Sequence, residues 1–127
     1  MPLYHVWFAT KRRKWLLQGH VAEAALGHIR RIAEEKEIRL SASETVVDHA
    51  HLLIEADDRK ELSRAVGLLK GASAYRIFRE MPEIKLDAGV NSFWQDRFGT
   101  KEVHQGAAAT VERYIRTQWD RLEKYER

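Results

Sequence analysis

Between Val46 and Ala56 the chain alternates with a period of two, and two histidines sit inside the alternation. Read as a strand, this stretch puts His49, His51, Leu53 and Glu55 on one face and Ala50, Leu52 and Ile54 on the other. An earlier stretch, Tyr4 to Thr10, is aromatic and β-branched, and predicts a first strand with Tyr4, Val6 and Phe8 opposite His5 and Trp7. Over residues 21–37 the spacing becomes helical, with Ala22, Ala25, Leu26, Ile29, Ile32 and Ala33 as the apolar stripe. Ile38, Leu40 and Ala42 then open a second strand over residues 38–47, and Asp48 marks a tight turn into the histidine strand.

Asp57 and Asp58 offer an N-cap for a helix over residues 60–80, with Leu62, Ala65, Val66, Leu69, Ala72, Ile77 and Phe78 apolar. Gly71 and Ser73 interrupt it; either another segment approaches that face closely or the helix kinks there. Met81-Pro82 stops the helix, residues 83–91 read as a loop, and a last strand is expected over residues 98–103. A final helix over residues 107–125 carries one stripe of Val111, Tyr114, Ile115, Gln118, Trp119 and Leu122. The order β-α-β-β-α-β-α predicts an α+β fold, a ferredoxin-like sandwich with an antiparallel sheet and the tyrosine on the C-terminal helix.

With 127 residues, a single domain over 1–127 is expected. Hydrophobic residues make up 44% and charged residues 32%, an ordinary globular composition. The chain has no cysteine, which excludes disulfides and thiolate metal sites and fits a reducing cytoplasm, the expected location. No apolar run approaches the ~20 residues of a membrane span. The net charge of +3 is weak evidence for nucleic acid; the placement of the cations says more. Lys11, Arg12, Arg13 and Lys14 are consecutive and end at Trp15, which reads as a solvated loop or as a phosphate-gripping loop with an aromatic for stacking on a base.

A lone His-x-His on a strand is more often a surface pair than a ligand pair. His20 and His28 read as structural or exposed. Gln118 is harder to dismiss, because a primary amide in a buried stripe costs desolvation unless it is bonded or ligating. It lies one helical turn beyond Tyr114, so a phenol and an amide leave the helix side by side.

Three marks then coincide in order: Asp48-His49-Ala50-His51, Leu69-Lys70-Gly71-x-Ser73, and Tyr114-Ile115-x-x-Gln118. Together with Tyr4-His5-Val6-Trp7-Phe8-Ala9-Thr10-Lys11-x-Arg13 and Phe93-Trp94-Gln95, they resemble the single-tyrosine HUH transposases of the smallest bacterial insertion sequences and their domesticated, palindrome-associated relatives. The resemblance runs from Tyr4 to Gln118. It implies a homodimer that nicks and rejoins single-stranded DNA beside a hairpin, through a 5′-phosphotyrosine. It further implies Tyr114 as nucleophile, His49, His51 and Gln118 as metal ligands, and Mg2+ or Mn2+ as the metal; imidazole ligands alone lean away from hard magnesium. No membrane and no small-molecule organic cofactor are expected. Lys11, Arg12, Arg13, Lys14, Lys70, Arg76 and Arg97 are the candidates for the DNA backbone, and Trp15 or Trp94 for base stacking. Two rival readings remain: a non-catalytic single-strand-binding module of the same fold, and a metal-dependent phosphoesterase that uses water while Tyr114 merely packs.

Overall fold

The computed structural model describes residues 1–119. Its elements are β1 (Leu3–Ala9), α1 (Gly19–Glu35), β2 (Arg39–Val46), β3 (His49–Glu55), α2 (Arg59–Glu80), a short α3 (Glu83–Asp87), β4 (Gly99–Val103) and α4 (Ala108–Arg116). The four strands form one antiparallel sheet in the order β2-β3-β1-β4. That order, with helices crossing from β1 to β2 and from β3 to β4, is the ferredoxin-like sandwich.

The strand alternation divides the apolar residues between two layers. Tyr4, Val6 and Phe8 of β1 and Ala50, Leu52 and Ile54 of β3 face α1 and α2, where Ala25, Ile29, Ile32, Leu62, Val66, Leu69 and Ile77 complete the main core. The opposite face carries a smaller cluster, Leu3, Ala42, Leu53 and Val103, and Ile115 of α4 closes it. Burying a side chain of that size stabilises by roughly 1.5–3 kcal/mol. It also fixes which face α4 covers, and that is the histidine face.

Several expectations need correction. Residues 83–91 are not all loop, since Glu83–Asp87 forms one short helix whose Ile84 is buried in the main core. Leu40 and Ala42 do not share a face: a register shift between them sends Leu40 to the main core and Ala42 to the smaller cluster. An extra residue in one strand reverses the alternation beyond it. Of the last helix, expected over residues 107–125, the described part is α4, Ala108–Arg116, with Thr117 as its C-cap; Leu122 and the rest of that span beyond residue 119 lie outside the described residues. In α2, Asp58 caps the helix by accepting from the Glu61 amide at 2.8 Å, while Glu61 accepts from the Asp57 amide at 2.8 Å. Ser73 is buried there because its hydroxyl accepts the indole N–H of Trp94 at 2.9 Å and donates to the Lys70 carbonyl at 3.1 Å. Gly71 faces open space, so no close approach accounts for it.

Candidate functional site

The turn between β2 and β3 has two residues, Val47 and Asp48, and Val47 adopts φ 50°. A β-branched residue rarely enters that region, so the surroundings must hold it there. They do: the Leu17 amide donates to the Val47 carbonyl at 2.9 Å, and the Thr10 amide donates to the Asp48 carbonyl at 2.8 Å. Asp48 is thereby aimed at its neighbours. Its Oδ1 lies 2.7 Å from His49 Nδ1, and its Oδ2 accepts from Arg13 Nε at 3.1 Å. Burial alone would raise the Asp48 pKa, but the hydrogen bonds from His49 and Arg13 and their charges outweigh it and hold the carboxyl below its usual range. A carboxylate can only accept, so a hydrogen on His49 Nδ1 lies between them, which leaves Nε2 as the ring nitrogen that could ligate.

His51 stands two residues on, its ring centroid 4.7 Å from that of His49. It is 7% exposed, and its Nε2 has no hydrogen-bond partner among the described residues. Burial first, then the neighbouring His49 and His5, pushes its pKa down to about 3, so the ring is neutral near pH 7. His5 joins the pair from β1, with Nε2 2.9 Å from His51 Nδ1. Burial lowers the His5 pKa as well.

Tyr114 arrives from the other side on α4. Its ring meets His51 edge-on at 5.9 Å between centroids and His5 at 6.0 Å. At 38% exposure it is not an aromatic packed in the core. Gln118 is 8% exposed, and its Nε2 donates to the Tyr114 carbonyl at 2.7 Å, which covers a carbonyl at the end of α4 and leaves Oε1 as the atom able to ligate. His5, Trp7, Arg13, His49, His51, Lys101, Tyr114 and Gln118 line one cleft of about 530 Å³. No group of three or more His, Cys, Asp or Glu among the described residues is placed to hold a metal ion, so a third ligand beside the two imidazoles has to be of another type. The Gln118 amide fits that requirement, and the buried, unpartnered Nε2 of His51 fits a metal on the pair.

The candidate cations divide. Arg13 lines the cleft and Lys11, Arg12 and Lys14 continue its loop, where Arg12 and Arg13 both adopt positive φ. Lys70 is on the other side of the sheet, where its Nζ donates to the carbonyls of Gln95, at 2.5 Å, and Arg97, at 3.1 Å. Burial lowers its pKa, against the pull of Asp96. Arg76 pairs with Glu35 at 2.7 Å, and Arg97 is exposed away from the cleft lining. Trp94 cannot stack on a base as expected, because its indole is 4% exposed and packed between Phe8 and Phe93. Trp15 is 74% exposed and borders a second cleft that shares His49.

Three residues of the site escaped sequence reasoning. His5 and Lys101 pair with each other across β1 and β4, and Trp7 pairs with His51 across β1 and β3. Trp7 lies so close over Gly99 that a Cβ there would fall 2.2 Å from the indole. The signal was the period of two in Tyr4–Thr10, which puts His5 and Trp7 on one face but does not say which strand lies beside them.

A family model described as "Transposase IS200 like" matches residues 2–118. The chain belongs to that family. It is 30% identical over 118 residues to the ISDra2 transposase TnpA of Deinococcus radiodurans, covering 93% of this chain and 84% of that protein. It is 28% identical over 115 residues to the transposase for insertion sequence element IS200 of Salmonella typhimurium, covering 91% and 75%. A crystal structure of a candidate transposase from Deinococcus radiodurans R1 superposes with a TM-score of 0.73 at 31% identity, covering 93% of this chain and 92% of that one. A REP-associated tyrosine transposase bound to a REP hairpin shares the fold, with a TM-score of 0.63 at 15% identity over 91% of this chain and 65% of that one.

Proposed function

We propose that this IS200-like transposase cuts and rejoins single-stranded DNA through a covalent bond to Tyr114, with His49, His51 and Gln118 holding a divalent metal, Mg2+ or Mn2+. The observation that carries the reading is the convergence of these four side chains on one cleft, with the buried Nε2 of His51 lacking any partner among the described residues. A phenol is a weak nucleophile at neutral pH, since its ordinary pKa is about 10. The bound metal would polarise a scissile phosphate and offset the charge that develops on its oxygens. Tyr114 Oη forms the new bond to phosphorus while the bond to the 3′ oxygen breaks. The phenolic proton leaves, and the 3′ oxygen ends as a hydroxyl. The 5′-phosphotyrosine remains a diester, so a different 3′-hydroxyl can attack it, release Tyr114 and rejoin the strand without ATP.

Arg13 and the loop around it grip the backbone, Lys101 faces the same cleft, and the half-exposed Trp7 and exposed Trp15 offer planes for unpaired bases. The natural substrate is a hairpin-flanked site, and the working form is a homodimer. The test is incubation with single-stranded oligonucleotides from the DNA flanking the gene, plus Mn2+. A protein–DNA adduct that survives a denaturing gel is expected for the native chain and not for Tyr114→Phe. Cleavage that persists in Tyr114→Phe overturns the reading in favour of a water-using phosphoesterase. Tight binding with no adduct, unchanged by chelator and by His49→Ala, overturns it in favour of a binding module.

A further inference from the structure

His5 reaches the histidine pair from the neighbouring strand, diagonal to His51 on the same sheet face. Its Nε2 lies 2.9 Å from His51 Nδ1, and the rings stack at 28° with centroids 5.1 Å apart. One hydrogen lies between the two nitrogens, so one ring donates and the other accepts. The two choices are not equivalent. If His5 donates, neutral His51 must carry its own hydrogen on Nε2, an atom that is buried without a partner among the described residues. That ring could offer no lone pair from Nε2. If His51 donates from Nδ1, the same Nε2 keeps its lone pair.

We propose that His5 is a positioning residue: it accepts the Nδ1 hydrogen of His51 and so holds that ring in the tautomer that binds a metal through Nε2. The inference rests on reading His49 and His51 as metal ligands. It completes a parallel arrangement, because Asp48 does for His49 what His5 does for His51. Ligating histidines generally owe their orientation to such a partner on the other ring nitrogen. The two partners differ in charge. Asp48 brings a carboxylate, already shared with Arg13, whereas His5 brings a neutral imidazole. A second carboxylate at this depth would repel an approaching phosphate, and His5 orients the ligand without adding that charge. His5 is itself confined by Trp7, 5.0 Å away between centroids, and by the edge of Tyr114.

Two measurements test this. In the metal-free native protein, long-range proton–nitrogen NMR of the imidazoles is expected to show the His51 hydrogen on Nδ1. In Mn2+ titrations followed by electron paramagnetic resonance, His5→Phe keeps a ring but removes the acceptor, and is expected to weaken binding roughly 10–100-fold. His5→Gln supplies a carbonyl oxygen in its place and is expected to recover most of that loss. His49→Ala should abolish binding. A His51 hydrogen found on Nε2, or His5→Phe binding Mn2+ as tightly as the native protein while His49→Ala does not, overturns the role of His5 and leaves the metal reading standing. Equal Mn2+ binding by the native protein and His49→Ala overturns the metal reading, and the role of His5 with it. Should His5→Phe fail to fold, the NMR measurement on the native protein decides alone.

Discussion

At the scale of the residue, His51 links the site to the stability of the fold. Its pKa is about 3 in the folded protein, against 6.5 for a free imidazole, chiefly because burial disfavours the charged form. Below pH 6.5 the unfolded chain takes up a proton at this position that the folded chain refuses. Stability from His51 is therefore fully present above pH 6.5 and is lost progressively as pH falls toward 3. Asp48 acts in the same direction at the acid end, because its lowered pKa means stability that is lost as the folded carboxyl takes its proton. Urea unfolding of the metal-free protein between pH 7 and 4 should show a steeper loss in the native chain than in His51→Gln. Equal slopes would mean that His51 is solvated and protonates freely. The same neutrality suits a ligand, since the ring needs to shed no proton at neutral pH before it binds a metal.

At the scale of the element, α4 decides whether a site exists at all. The helix is short, Ala108–Arg116, and a helix of that length does not persist without tertiary contacts. Ile115 supplies them, fully buried against Leu3, Ala42, Leu53 and Val103, with Val111, Ala107 and Ala108 packed alongside. Tyr114 is its neighbour in sequence, so the packing that docks the helix also aims the phenol. Ile115→Ala is expected to cost about 2–5 kcal/mol in chemical denaturation. It should also lower adduct yield at temperatures where the protein is still folded, because α4 frays from the sheet before the main core opens. Full adduct yield in a destabilised Ile115→Ala protein would show that the position of Tyr114 does not depend on this packing. The β2–β3 turn plays the matching part for the histidines, with two backbone hydrogen bonds from Thr10 and Leu17 holding Val47 and Asp48 in place.

At the scale of the whole molecule, charge is arranged by face and not by total. A net charge of +3 says little, but Arg13 lines the cleft with Lys11, Arg12 and Lys14 beside it in the chain, and Lys101 enters the cleft from β4. Lys70 and Arg76 are engaged elsewhere, one by two carbonyls and the other by Glu35. Single-strand binding should therefore depend on salt through the first group. Replacing Lys11, Arg12 and Lys14 together by Ala is expected to flatten the slope of log K against log salt by about 2, at ~0.7 for each phosphate left without its cation. Lys70→Ala should lower stability and leave that slope alone. The reverse pattern would put the DNA on the helical face of the sheet. No helix among the described residues is long and apolar enough to cross a membrane.

Apart from the short helix Glu83–Asp87, the sequence by itself determined the main elements, their order and the family, because these depend on local periodicity and on short motifs that keep their spacing. The period of two around His49 and His51, the helical stripes and the Tyr114–Gln118 spacing all act over fewer than about ten residues. Only the tertiary structure decided which faces meet. Nothing in Tyr4–Thr10 reveals that β1 lies beside β3, so His5 reads as an ordinary strand residue until the sheet order puts its Nε2 against His51. Trp94 and Lys70 looked available to DNA for the complementary reason. An aromatic or a cation reads the same in sequence whether it meets solvent or, as here, the Ser73 hydroxyl and the carbonyls of Gln95 and Arg97. The shift between Leu40 and Ala42 was equally hidden, since two apolar residues spaced by two share a face only if no bulge falls between them. Pairing across strands is a property of residues distant in the chain, and in this protein that pairing gives His51 its partner, while His49 takes its own from the adjacent Asp48.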